Sequence, residues 1–194
     1  LFHKMKASSA VMLHHGAVVE SKLLSSFFGN FTSLLTYFLP DVTIGAEGKD
    51  DYASLYSTVC HELAHSSHFA QVGTGYWNRY IRYILESYFT TGDPYGDGQA
   101  GGAEYCSLGE SWAYYLESLM YKERYGGSVP SFGSSYWFYP QIFRYLDERG
   151  VDRSDIFSVL KSDVVTKGEL KSSLIRSFPH KRTVIEQVFG RYGN

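Results

Sequence analysis

The pentapeptide His61-Glu62-Leu63-Ala64-His65 constrains this chain more than any other stretch, because its chemistry works only on a packed helix. Two histidines at i and i+4 lie one turn apart on the same helix face. Leu55, Val59, Leu63 and Phe69 supply apolar positions at helical spacing around them, so a helix is expected from about Tyr52 to Ala70, capped by Asp50 or Asp51. A buried imidazole pair wants a partner, and a Zn²⁺ ion is one that both rings can share. Glu62 is then turned toward the open coordination position, where it can act as general base in the hydrolysis of a peptide bond. The fold must bring a third ligand to this face from elsewhere.

His68 follows His65 on the same face but stands about 10 Å along the axis from His61, too far for one ion to hold all three. It reads instead as a neighbour of the site, substrate-facing or structural. Glu110 is the better third ligand, because it opens an amphipathic stretch in which Trp112, Ala113, Leu116, Leu119 and Met120 turn inward. A carboxylate on a packed helix is held rigidly against a metal. Glu104 and Glu117 compete with it: Glu104 sits at the ragged start of that helix, and Glu117 lies two turns on, where it can orient a ligand. Cys106, one turn before Glu110, offers a further alternative. A hydroxyl or imidazole donor for a reaction oxyanion is sought among Tyr76, Tyr95, Tyr105, Tyr114 and His68, with Tyr105 preferred for its place just before Glu110.

Around this core the pattern is mainly helical. Apolar spacing suggests a helix between Val18 and Phe38 with a break at Gly29-Asn30, and Asp41 to Gly45 reads as a short strand rich in β-branched residues. Further helices are expected over Trp77–Phe89, Glu104–Arg124, Pro140–Glu148, Ser154–Lys161, Lys167–Ser177 and Lys181–Phe189. Between Thr91 and Gly102 five glycines and a proline rule out a regular element and leave a long loop. Asp93 and Asp97 in that loop fit no complete calcium motif, so it reads as a turn-rich linker. Arg144, Arg176 and Arg182 are equal candidates to meet a substrate carboxylate. The expected class is α+β, mainly α, with a small sheet, in one domain of 194 residues: a core at about 42–124 and a helical C-terminal part at about 130–194.

Composition narrows the partners. A net charge of −2 and a pI near 6.4 leave no electrostatic footprint for nucleic acid. No apolar run is long enough to span a bilayer, the best being broken by Gly29, Asn30, Thr32 and Ser33. Cys60 and Cys106 make no disulfide framework; they read as free buried thiols, with a mutual bridge as the alternative. The chain opens on Leu1 without a signal-like segment, as expected of a processed product or an excised domain.

His61-Glu62-Leu63-Ala64-His65, the later Glu110-Ser111-Trp112-Ala113 and a short strand ahead of the first motif resemble a gluzincin-type zinc metallopeptidase, the plan of thermolysin and anthrax lethal factor. More narrowly, the chain is similar to bacterial secreted or lipoprotein-attached zinc metalloproteases. The match runs from about Val42 to Tyr121. It implies a zincin-like fold, His61, His65 and Glu110 as zinc ligands, Glu62 as base and a peptide or protein substrate at the cell envelope or outside the cell. It also implies that Val42, Thr43, Ile44 and Gly45 form the strand edge that pairs with an extended substrate, with His68 nearby. One departure stands out: where the thermolysin pattern has an acidic residue one turn after the Glu ligand, this chain has Tyr114. The metzincin pattern fails, because it wants Gly and His where His68 and Gln71 stand. Two alternatives accompany the reading: a deformylase-like hydrolase with Cys106 as ligand, although that family's cysteine lies upstream of its histidines, and a catalytically silent zincin-fold binding module.

Overall fold

The computed structural model describes residues 52–133 and 136–192 in full, and the backbone of two strands, β1 (Val11–His14) and β2 (Val42–Gly45). The helix expected between Val18 and Phe38, and the side chains of His14 and His15, lie outside the described residues. The helices are α1 (Tyr52–Thr91), α2 (Ala103–Tyr125), α3 (Pro140–Glu148), α4 (Arg153–Ser158), α5 (Lys167–Ser177) and α6 (Arg182–Tyr192), the last entered through a 3-10 turn at Pro179–Lys181. Among the described residues no helix is long and apolar enough to cross a membrane.

The expectation of an α+β, zincin-like fold with a small sheet is corrected here. Among the described residues from 52 onward every regular element is a helix, and both apolar clusters are filled from helices and the segments joining them, so the class is all-α. β1 and β2 do pair in parallel, from Val11 opposite Val42 to His14 opposite Gly45. Two strands of four residues do not make a layer against which helices could pack, and the helices bury their apolar faces on one another instead.

α1 is two helices joined at a sharp reversal. Gly73 has φ 78° and ψ 179°, a conformation reserved for glycine, and it falls in the gap the sequence leaves between Ala70 and Trp77. Ring contacts show how far the chain turns. The His65 and Trp77 centroids are 5.3 Å apart, whereas twelve residues of straight helix span about 18 Å. Arms 52–72 and 74–91 therefore form an αα-hairpin, and α2 packs along it as the most extensive helix–helix contact among the described residues.

The main core lies between α2 and the C-terminal helices. Leu108 and Trp112 of α2, Ile142 and Phe143 of α3, and Leu170 and Leu174 of α5 are all fully enclosed. Trp112 stacks on Phe157 and meets Phe143 edge-on, which ties α2 to the last third of the chain. α3 and α5 match their expected bounds. α4 stops at Ser158 rather than Lys161, because the amides of Val159 and Leu160 turn back to Ile156 and Phe157 in tight i−3 bonds. The Gln71 side-chain amide, from the first arm of α1, donates to the Phe157 and Leu160 carbonyls at this end.

Candidate metal centre

The first arm of α1 enters the molecule on its Cys60–Ala64 side, both residues being buried, and this packing carries His61 and His65 inward with it. α2 approaches from the opposite side and delivers Glu110, which is 1% exposed. The three side chains converge. His61 Nε2 and His65 Nε2 are 3.0 Å apart, His61 Nε2 is 3.3 Å from Glu110 Oε2, and His65 Nε2 is 3.3 Å from Glu110 Oε1. A tetrahedral ion bound at about 2.0–2.2 Å by nitrogen and carboxylate oxygen spaces neighbouring ligand atoms by about 3.3–3.5 Å, which the two His–Glu separations meet while the 3.0 Å imidazole pair stands slightly inside it. Among the described residues this is the group of His, Cys, Asp and Glu side chains placed to hold a metal.

Two further observations favour a cation. Glu110 Oε2 is buried with no polar contact beyond its 3.3 Å approach to His61 Nε2, an arrangement that is costly for a carboxylate unless a positive charge faces it. Burial alone would push the Glu110 carboxyl up, but the charge of His65 and hydrogen bonds with both imidazoles hold it below the usual carboxylate range. His61 shows the complementary effect. Burial disfavours its imidazolium, yet hydrogen bonds to Glu110 and Glu117 outweigh burial and raise its pKa to about 10. The two carboxylates thus demand a positive charge at His61, and a proton or a metal ion can meet the demand.

The tautomer is set from behind. His61 Nδ1 donates to Glu117 Oε2 at 3.0 Å, which leaves Nε2 as the nitrogen that faces Glu110 and His65, where a proton or a metal ion can sit. Glu117 therefore supplies the supporting carboxylate that Tyr114 does not, from two turns beyond Glu110 rather than one. Tyr114 instead lays its ring edge-on against His61, with centroids 4.6 Å apart. His65 has no such support, since its Nδ1 is buried without a partner.

The other candidates fall as follows. Glu62 is half-buried beside His61, near enough for its charge to favour the imidazolium. His68 is fully enclosed between Tyr76 and Trp77, with both ring nitrogens unpartnered and its pKa pressed down to about 3 by burial and by the charge of His65. It is not one of the three converging ligands. Tyr105 packs on Tyr76 and accepts a hydrogen bond from Arg79, away from the cluster, and Glu104 is exposed. Cys60 and Cys106 are free buried thiols, and Cys106 does not join the ligand group. Asp93 and Asp97 accept from the backbone N–H groups of Tyr95 and Gln99 as ordinary turn residues. Arg144 and Arg182 pair with Glu148 and Glu186 along their own helices, and Arg176 reaches Ser173. Val42 to Gly45 form β2, which is paired with β1; their side chains lie outside the described residues.

Tyr80 is the contact that sequence reasoning passed over. Its hydroxyl donates to Glu110 Oε1 inside the core. In the sequence it is one aromatic among Trp77, Tyr80, Ile81 and Ile84 on an apolar face, and nothing in that spacing separates a packing ring from a polar contact. Comparisons with family models, with characterised proteins and with solved structures find no match to this chain.

Proposed function

We propose that the protein is a zinc-dependent peptidase in which His61, His65 and Glu110 hold the metal and Glu62 is the general base. The observation that carries this reading is the convergence of two imidazole nitrogens and a carboxylate with an orphaned, buried oxygen, directly beside a glutamate left free of the cluster. A zinc ion held there would supply Lewis acidity to a scissile carbonyl and lower the pKa of a water molecule. The chain's own groups do the rest. Glu117 fixes the His61 tautomer and ring plane. Glu62 accepts the proton of the attacking water at its carboxylate and returns it to the departing amine nitrogen. Water exclusion comes from the rings of Tyr114, Trp77 and Tyr80 around the two histidines.

The substrate class is a peptide or protein chain. Glu62→Gln tests the assignment, since it retains size and hydrogen bonding and removes the base. The variant is expected to bind one zinc per chain as the wild type does, while hydrolysis of a mixed peptide library falls by at least about 100-fold. A zinc-loaded wild type that cleaves nothing in such a library, or a Glu62→Gln variant that retains full turnover, refutes the proposal.

A further inference from the structure

The two oxygens of Glu110 are treated differently by the protein. Oε1 accepts the hydroxyl proton of Tyr80 and stands 3.3 Å from His65 Nε2, whereas Oε2 has only the His61 imidazole beside it, at 3.3 Å. Tyr80 is itself buried, on the return arm of α1, and so reaches Glu110 from the opposite strand of the hairpin to the one that carries the two histidines. Its ring is wedged between Trp77, at 4.5 Å between centroids, and His65, at 5.9 Å. On the far side lies the backbone of α2 at Gly109. A Cβ added to Gly109 would stand 3.4 Å from Tyr80 Cε2, in van der Waals contact, so the ring lies directly against the α2 backbone there. A phenol held by three neighbours has little freedom to leave its carboxylate oxygen.

From this asymmetry we infer that Tyr80 is a positioning residue that restricts Glu110 to binding metal through Oε2 alone. The inference rests on the three-ligand reading of His61, His65 and Glu110. A carboxylate free to swing can close on an ion with both oxygens and fill the place a substrate carbonyl needs. Engaging Oε1 in a hydrogen bond withholds it, and the fourth position of a tetrahedral centre stays open for chemistry. The hairpin turn at Gly73 therefore has a chemical as well as an architectural consequence, because without it Tyr80 would not stand over Glu110.

Tyr80→Phe in the full chain tests this, since it retains the ring and removes only the hydroxyl. Zinc affinity is measured by chelator competition, carboxylate binding mode by X-ray absorption on the zinc form, and geometry by the visible spectrum of the cobalt form. The wild type is expected to bind one zinc with four ligand atoms and a single Glu110 oxygen. Tyr80→Phe is expected to bind roughly 10-fold more weakly and to gain a fifth ligand atom, with the weaker cobalt absorption of five-coordination. A variant that binds zinc with unchanged affinity and spectrum overturns the role of Tyr80 and leaves the ligand set standing. Two Glu110 oxygens on zinc in the wild type overturn it as well, and that measurement decides the matter even if the variant does not fold. A wild type that binds no zinc overturns the ligand set itself.

Discussion

Removing Glu117 should weaken metal binding without touching a ligand. Glu117 is 7% exposed and its Oε2 accepts from His61 Nδ1 at 3.0 Å. In Glu117→Ala the Nδ1–H loses its acceptor in a buried setting, a cost of about 1–3 kcal/mol. Part of this is felt with and without metal, because Glu117 also favours a proton on His61. The two effects oppose each other, since the proton competes with zinc for the same ring. The divalent ion places the larger charge next to the carboxylate, so its loss is the greater one. The net expectation is a 10- to 100-fold weaker zinc Kd, about 1.4–2.7 kcal/mol. Glu117→Gln keeps an acceptor at Nδ1 and should fall between the variant and wild type. Competition against a chromophoric chelator at fixed pH reads all three. If Glu117→Ala binds zinc as tightly as wild type, the carboxylate does not tune His61 and the tautomer argument fails.

Further outcomes follow from the same geometry. In the zinc-free protein, His61 contributes stability below its unfolded pKa of 6.5 and loses it as the pH rises toward about 10. His68 acts on the other limb: with a folded pKa of about 3, it costs up to about 1.4 kcal/mol per pH unit as the pH falls below its unfolded value of 6.5. Urea melts of the zinc-free chain should therefore show greatest stability near pH 6.5. His68→Leu should flatten the acid limb and cost little at neutral pH, since it removes two buried nitrogens that have no partner; an unchanged acid limb would show that His68 is not buried neutral. Gly73→Ala should destabilise by about 1–3 kcal/mol in the same melts, because its φ of 78° is unfavourable for any side chain. An unaffected melting midpoint would mean that the arms of α1 do not reverse at this residue.

Much of the helical inventory was legible in the residues. The bounds of α3 and α5 were readable because each is framed by short-range signals, Pro140 at the start of one and Pro179 just beyond the other. The break inside α1 was legible as the gap between helices expected to end at Ala70 and to begin at Trp77, but the reversal at Gly73 was not. The expected sheet went wrong for a different reason. A β-branched run such as Val42-Thr-Ile44 says that a strand is locally favourable, but a layer requires partners, and pairing is a long-range property. α4 was placed too long for the same kind of reason: its end is met by Gln71, more than eighty residues earlier in the chain.

The sequence by itself placed His61 and His65 on one helix face next to Glu62, because i, i+4 spacing on a helix fixes which side chains share a face. It also favoured Glu110 over Glu104 and Glu117 as a third ligand, since a carboxylate on a packed stretch of helix is held rigidly. Only the tertiary structure decided how that carboxylate is held. Glu117 behind His61, Tyr80 on one oxygen of Glu110, and the orphaned second oxygen depend on three helical segments meeting at one point. Such contacts leave no periodic trace, because a tyrosine that packs and a tyrosine that donates a hydrogen bond occupy the same positions on a helix. The distinction lies in what stands opposite, and that is settled by the turn at Gly73 and the crossing of α2.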